Sequence, residues 1–329
     1  MLFGCFFLRR PVQAADCPRG FFVEDLAQNP PLPAFYNLET HQVQPFAFRR
    51  SYSNFIDLTW DHDQCRVFFS ARQTAQDPYR VYLKPWPDGD EKVIYENPLG
   101  PFRFLISPDG RQLVLQVMGP SAWPILAVHD WQAAQTTLLG QGFSPDWSND
   151  GKKLLFLQIL NNQLPTRLAE YQVDRGTCTI LMKEPVAEAV FTDDSDRIVL
   201  KTVKQSKSCD VFQLWDLRKD SFTPFSAASK KKRRGTCVSQ REINASPGHQ
   251  FLFFKESPDA SDLSQQTLII ADTSGGRLLA IPHEDWDPKV TAMESTTLVI
   301  GDDPLYVMSA DGTGKRQEVP HARFIRYKK

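Results

Sequence analysis

Apolar and polar positions alternate with period two along most of the chain, and the runs break at turns rich in Ser, Pro, Asp and Gly. The clearest copy is residues 102–117 (FRFLISPDGRQLVLQV). An alternating run forms one strand, Pro108-Asp109-Gly110 supplies the turn, and LVLQV forms the next strand. Residues 143–158 (FSPDWSNDGKKLLFLQ) repeat the plan, as do 56–70, 187–201 and 241–255, with a shortened copy at 290–301. A second hairpin follows each first one, at 80–95, 124–139, 168–181, 211–225, 267–281 and 305–319. The unit is therefore four antiparallel strands, recurring roughly every 40–50 residues, and no long window shows helical periodicity.

Four-stranded units at this period predict an all-β fold, a β-propeller built of four-stranded antiparallel blades. Six complete units begin near residues 54, 101, 142, 187, 239 and 289. Before them, residues 20–25 and 34–48 read as three strands, and after them residues 322–327 (ARFIRY) read as one. Pairing of these N- and C-terminal strands would make a seventh blade and remove the exposed sheet edges. Six blades with an N-terminal extension is the alternative.

Composition narrows the picture. The 329 residues carry 38 basic and 39 acidic side chains, a balance that argues against nucleic acid as a partner. The apolar run Leu2–Leu8, followed by small residues at Val12-Gln13-Ala14, reads as a signal peptide over residues 1–15, with the propeller over 16–329. Arg9-Arg10 stands after that run instead of before it, so a cytoplasmic chain with a frayed start is the alternative. No other apolar stretch approaches the ~18 residues of a transmembrane segment. Six cysteines occur, none in a C-x-x-C pair. Cys209 and Cys237 flank one loop and are the candidate disulfide, with free buried thiols as the alternative.

Ser107-Pro108-Asp109-Gly110-Arg111-Gln112-Leu113 and Trp147-Ser148-Asn149-Asp150-Gly151-Lys152-Lys153-Leu154 resemble the repeat of TolB-like propellers. Residues 306–314 (YVMSADGTG) resemble the outer hairpin of that repeat. The resemblance covers residues 50–320 and implies a periplasmic or extracellular binding scaffold, or the non-catalytic half of a peptidase. A rival resemblance, to the WD-repeat family, rests on Gln213-Leu214-Trp215-Asp216 as a third strand.

Candidate chemistry is sparse. The six histidines show no local metal-ligand spacing, and no G-x-S-x-G elbow occurs, so no catalytic residue, metal ligand or cofactor is assigned. His62 and His249 fall in first-hairpin turns, where exposure is expected. The run 230–234 (KKKRR) reads as a solvated loop between blades. Aligning the repeats exposes one column on the first strand: Asp57, Arg103, Ser144, Glu188 and Glu242. Charges among apolar neighbours need a partner or water, so this column should face a wet central channel. Its mixed signs suggest either mutual salt bridging around the axis or a polar throat that receives a partner. Trp123 and Trp286 lie in loops on one face and are candidate contact residues. The leading expectation is a monomeric, non-catalytic interaction module binding a protein or peptide, periplasmic or secreted. The alternative is a propeller lyase or hydrolase acting on a carbohydrate or small ester at the channel.

Overall fold

The computed structural model describes residues 17–28, 32–61, 64–97, 100, 102–118, 123–160, 163–203, 211–225, 239–257, 266–282, 291–294, 297–301, 305–309 and 316–324. The first sheet holds β1 (Gly20–Asp25), β2 (Leu32–Asn37) and β3 (Gln42–Pro45). The second holds β4 (Asn54–Asp61), β5 (Arg66–Arg72), β6 (Tyr79–Pro85) and β7 (Lys92–Asn97). A seven-stranded sheet follows: β8 (Phe102–Ile106), β9 (Gln112–Met118), β10 (Pro124–Asp130), β11 (Gln135–Trp147), β12 (Lys153–Leu160), β13 (Gln163–Gln172) and β14 (Thr177–Met182). Next come β15 (Val186–Phe191), β16 (Arg197–Thr202), β17 (Gln213–Asp216) and β18 (Ser221–Pro224). Then come β19 (Ser239–Ala245), β20 (Phe251–Ser257), β21 (Thr267–Asp272) and β22 (Arg277–Pro282). The last sheet is β23 (Thr291–Glu294), β24 (Thr297–Gly301), β25 (Leu305–Ser309) and β26 (Gln317–Val319). The final strand, β27 (Ala322–Phe324), leaves that sheet and pairs with β1. Its register is Val23↔Phe324, Glu24↔Arg323 and Asp25↔Ala322, so the chain's end completes the sheet at its beginning.

The turns explain why the repeat folds this way. Ser107 Oγ donates to Asp109 and accepts from the Gln112 amide, while the Gly110 amide donates to the Ser107 carbonyl. Ser148, Asp150, Gly151 and Lys153 make the same set of bonds. Gly110 and Gly151 stand at φ 66° and 68°, a left-handed conformation that glycine adopts without cost. Strand β11 is long because it serves twice. Gln135–Gln141 pairs with β10, and Gly142–Trp147 pairs with β12.

Apolar side chains of the first three strands fill the spaces between sheets. Among the described residues, seven clusters form a circuit. One joins the closing sheet to β4–β7 through Phe22, Phe35, Phe69 and Tyr82. The last joins β23–β26 back to the closing sheet through Phe21, Tyr36, Val299 and Val307. First strands of successive sheets touch one another, β4 with β8 and β15 with β19, so they line the axis.

A disulfide joins Cys17, just before β1, to Cys65 in the turn between β4 and β5, with Cα atoms 5.4 Å apart. No sequence spacing signals this pair; folding brings the two ends of adjoining sheets together. Closing a loop of 48 residues constrains the unfolded chain by about 4 kcal/mol. The candidate pair Cys209 and Cys237 lies outside the described residues, as do the signal-like segment and residues 230–234. Among the described residues, no helix is long and apolar enough to cross a membrane.

Candidate functional site, the polar column of the inner strands

The first strand carries a β-bulge beside the column in four places. Pairing shifts register between Phe55 and Asp57, between Phe143 and Asp146, between Val186 and Glu188, and between Arg241 and Asn244. Bulges re-aim side chains and bend the strand. Ser144 and Glu242 sit in left-handed backbone at these bulges, with φ 52° and 56°. Arg103, Ser144 and Glu242 are exposed, and Asp57 and Glu188 are half-buried.

Among the described residues, the two column glutamates take partners from outside the column. Glu188 Oε1 meets Lys201 Nζ of its own second strand at 2.8 Å, and Glu188 Oε2 accepts from the Ile243 amide of the next sheet at 2.8 Å. Lys201 also donates to the Gln240 carbonyl at 2.7 Å and lies over the Phe212 ring. Glu242 pairs with Lys255, again from its own second strand.

Asp57 is built differently. Its partner in register is Ser70, which is fully buried with an Oγ that has no hydrogen-bond partner. The carboxylate accepts from the Leu58 amide at 3.0 Å and, more weakly, from the Phe104 amide of the next sheet at 3.5 Å. It makes no ion pair among the described residues. Burial pushes its pKa up to about 6, against the opposing pull of the two amides and of the Arg103 charge.

One channel-side group was not foreseen. His249, in the turn before β20, is buried rather than exposed, which corrects the expectation for first-hairpin turns. Left-handed Gly248 (φ 73°) and His249 (φ 52°) swing the ring inward. Its Nε2 lies 3.2 Å from Asp146 Oδ1, and Asp146 Oδ2 accepts from the Phe191 amide at 2.7 Å. That contact passes over the β15–β18 sheet, linking β11 to the turn two sheets on. The turn residues foretold a hairpin there, but only the inward tilt of the turn gives the ring a partner.

Trp123 stacks on Phe143 at 6.3 Å between centroids, so it packs on the inner end of the adjoining strand. Trp286 and His62 lie outside the described residues. Away from the axis, an open groove of about 410 Å³ lies between the β12–β14 and β15–β17 strands. Lys153 and Arg218 grip Asp196 on its rim and hold that carboxyl below the usual carboxylate range. No group of three or more His, Cys, Asp or Glu side chains is placed to hold a metal among the described residues.

These features define the class: an all-β propeller of antiparallel sheets whose two ends pair in one sheet. Within it, the TolB-like resemblance of the repeat holds at the level of fold. TolB from Acinetobacter baumannii matches with a TM-score of 0.50 at 16% identity, covering 82% of this chain and 64% of that one. The chain thus spans less than two thirds of that TolB. Oligogalacturonate lyase from Vibrio parahaemolyticus matches with a TM-score of 0.61 at 11% identity, covering 92% of this chain and 84% of that one. Prolyl oligopeptidase B from Galerina marginata matches at 0.61 and 11%, covering 93% and 52%. At these identities the likeness is one of architecture, and it spans TolB and two enzymes alike. No family model and no curated protein matches the chain.

Proposed function

We propose that this chain is a seven-bladed, non-catalytic scaffold that works outside the cytoplasm and receives a protein or peptide segment at its channel. The count of seven treats the long sheet as two blades sharing β11, and the seven apolar clusters support it. The Cys17–Cys65 disulfide supports an oxidising compartment. The observation that carries the binding reading is the column itself. Asp57, Arg103, Glu188 and Glu242 bring both signs of charge to a wet surface at the centre of a rigid ring. Trp123 and Trp286 would add aromatic contact on the loop face.

A lyase or hydrolase would need acid–base side chains converging on a reacting atom. Among the described residues, His249 is buried and engages Asp146 through Nε2. That arrangement favours a structural role for the ring.

The test is affinity capture from an envelope extract with the wild-type chain and with Arg103→Glu. Capture of a partner by the wild type, reduced about tenfold or more by a well-folded Arg103→Glu, is the expected result. Equal capture by both would retire the channel as the binding surface. Peptide mapping without reductant addresses the compartment: native protein should yield the linked Cys17–Cys65 peptide, and free thiols would contradict an exported protein.

A further inference from the structure

The repeats of this chain supply their own template for what Asp57 lacks. In the β15–β18 sheet the column carboxylate, Glu188, is matched by Lys201, thirteen positions on, and in the β19–β22 sheet Glu242 is matched by Lys255 at the same spacing. In the β4–β7 sheet the thirteenth position holds Ser70. Residues paired across antiparallel strands point to the same sheet face. Asp57 and Ser70 therefore share the face toward β8, as Glu188 and Lys201 share the face toward β19. Where two sheets present an ammonium to the carboxylate, this one presents a buried hydroxyl without a partner.

We propose that Asp57 is the receptor for a primary ammonium carried into the channel by a partner chain, filling the role that Lys201 and Lys255 fill within their own sheets. The inference rests on the channel being the binding surface and adds the chemistry of what enters. Two observations favour an ammonium over other cations. The internal template is an amine in both sheets. Each Asp57 oxygen already accepts one backbone amide, which leaves room for single-point donation but disfavours the two-pronged grip of a guanidinium. An ammonium is a compact point charge that needs only one direction of approach.

The ammonium can come from a lysine side chain or from a chain terminus, and the test separates them. The Asp57 carboxyl of the full-length protein would be titrated by side-chain carbon NMR, with Asp57→Asn assigning the signal. Three probes are compared at equal ionic strength, roughly 50 mM each. They are Nα-acetyl-lysine amide, alanine amide and tetramethylammonium chloride. The proposal expects the midpoint, about 6 without probe, to fall by about half a unit or more with at least one primary ammonium and to stay unchanged with tetramethylammonium. The larger fall names the source. Because only the carboxylate binds, apparent affinity at pH 5 should be about tenfold weaker than at pH 7. Equal shifts with all three probes would mean screening alone, and no shift with any would mean no receptor; either overturns the proposal. A silent titration beside a partner capture that still depends on Arg103 would retire the ammonium while keeping the channel. A responsive titration without such capture would do the reverse.

Discussion

Two neighbourhoods of one ring make the same carboxylate behave in opposite ways. In the β15–β18 sheet, Glu188 follows a bulge, one amide of the next sheet reaches it, and Lys201 pairs with it. In the β4–β7 sheet, Asp57 follows a bulge in the same place and faces the next sheet in the same way, but Ser70 stands where the lysine would be. The first carboxylate is held by an ammonium and a backbone amide. The second is an anion only at a cost, because burial raises its pKa to about 6 from an ordinary 3.8. The scaffold sets where a charge sits, and one residue on the second strand decides whether that charge is content there.

Five substitutions break or sharpen this contrast. Lys201→Met should destabilise the protein most, by about 2–4 kcal/mol in denaturant unfolding at pH 7, because Glu188 is left without its cation. Adding Glu188→Gln to Lys201→Met should recover most of that loss, the mark of one coupled pair. Asp57→Asn should act in the opposite direction, stabilising by about 1–3 kcal/mol at pH 7, since an amide keeps the acceptor for Phe104 without the buried charge. Ser70→Ala should stabilise by up to about 1 kcal/mol, because it removes a buried hydroxyl that lacks a partner. Glu242→Gln should change stability by less than about 1 kcal/mol, for that side chain is 56% exposed and solvent screens its pair with Lys255. A stabilising Lys201→Met or a destabilising Asp57→Asn would dissolve the contrast.

Much of this was legible in the chain. Alternation and turn residues placed the hairpins, and residues 322–327 were read as the closing strand that β27 supplies. The column of Asp57, Arg103, Ser144, Glu188 and Glu242 followed from aligning turns, because a turn fixes how far back along its strand each position lies. What surrounded the column did not follow. A bulge leaves no residue signature of its own, so the left-handed backbone at Ser144 and Glu242 was invisible. The lysine partners were within reach, since Glu242 to Lys255 and Glu188 to Lys201 share one spacing, but reading them needed the register across the hairpin. His249 and Cys17 are harder cases. Each meets its partner through the closure of the ring, His249 with Asp146 two sheets away and Cys17 with Cys65 in the adjoining sheet. Such contacts depend on how sheets are placed and not on what precedes or follows a residue.

The stability difference between Asp57→Asn and wild type, followed by denaturant unfolding from pH 4.5 to 7.5, tests the central contrast most directly. A carboxyl whose folded pKa is raised holds its proton longer in the native state, so wild-type stability should fall, relative to the variant, as pH rises from about 4 through about 6. The account predicts a small difference at the acid end that widens to a clear advantage for the variant and levels off above pH 7. A variant less stable than wild type throughout, or a difference indifferent to pH, would show that Asp57 is as well compensated as Glu188 and would contradict it.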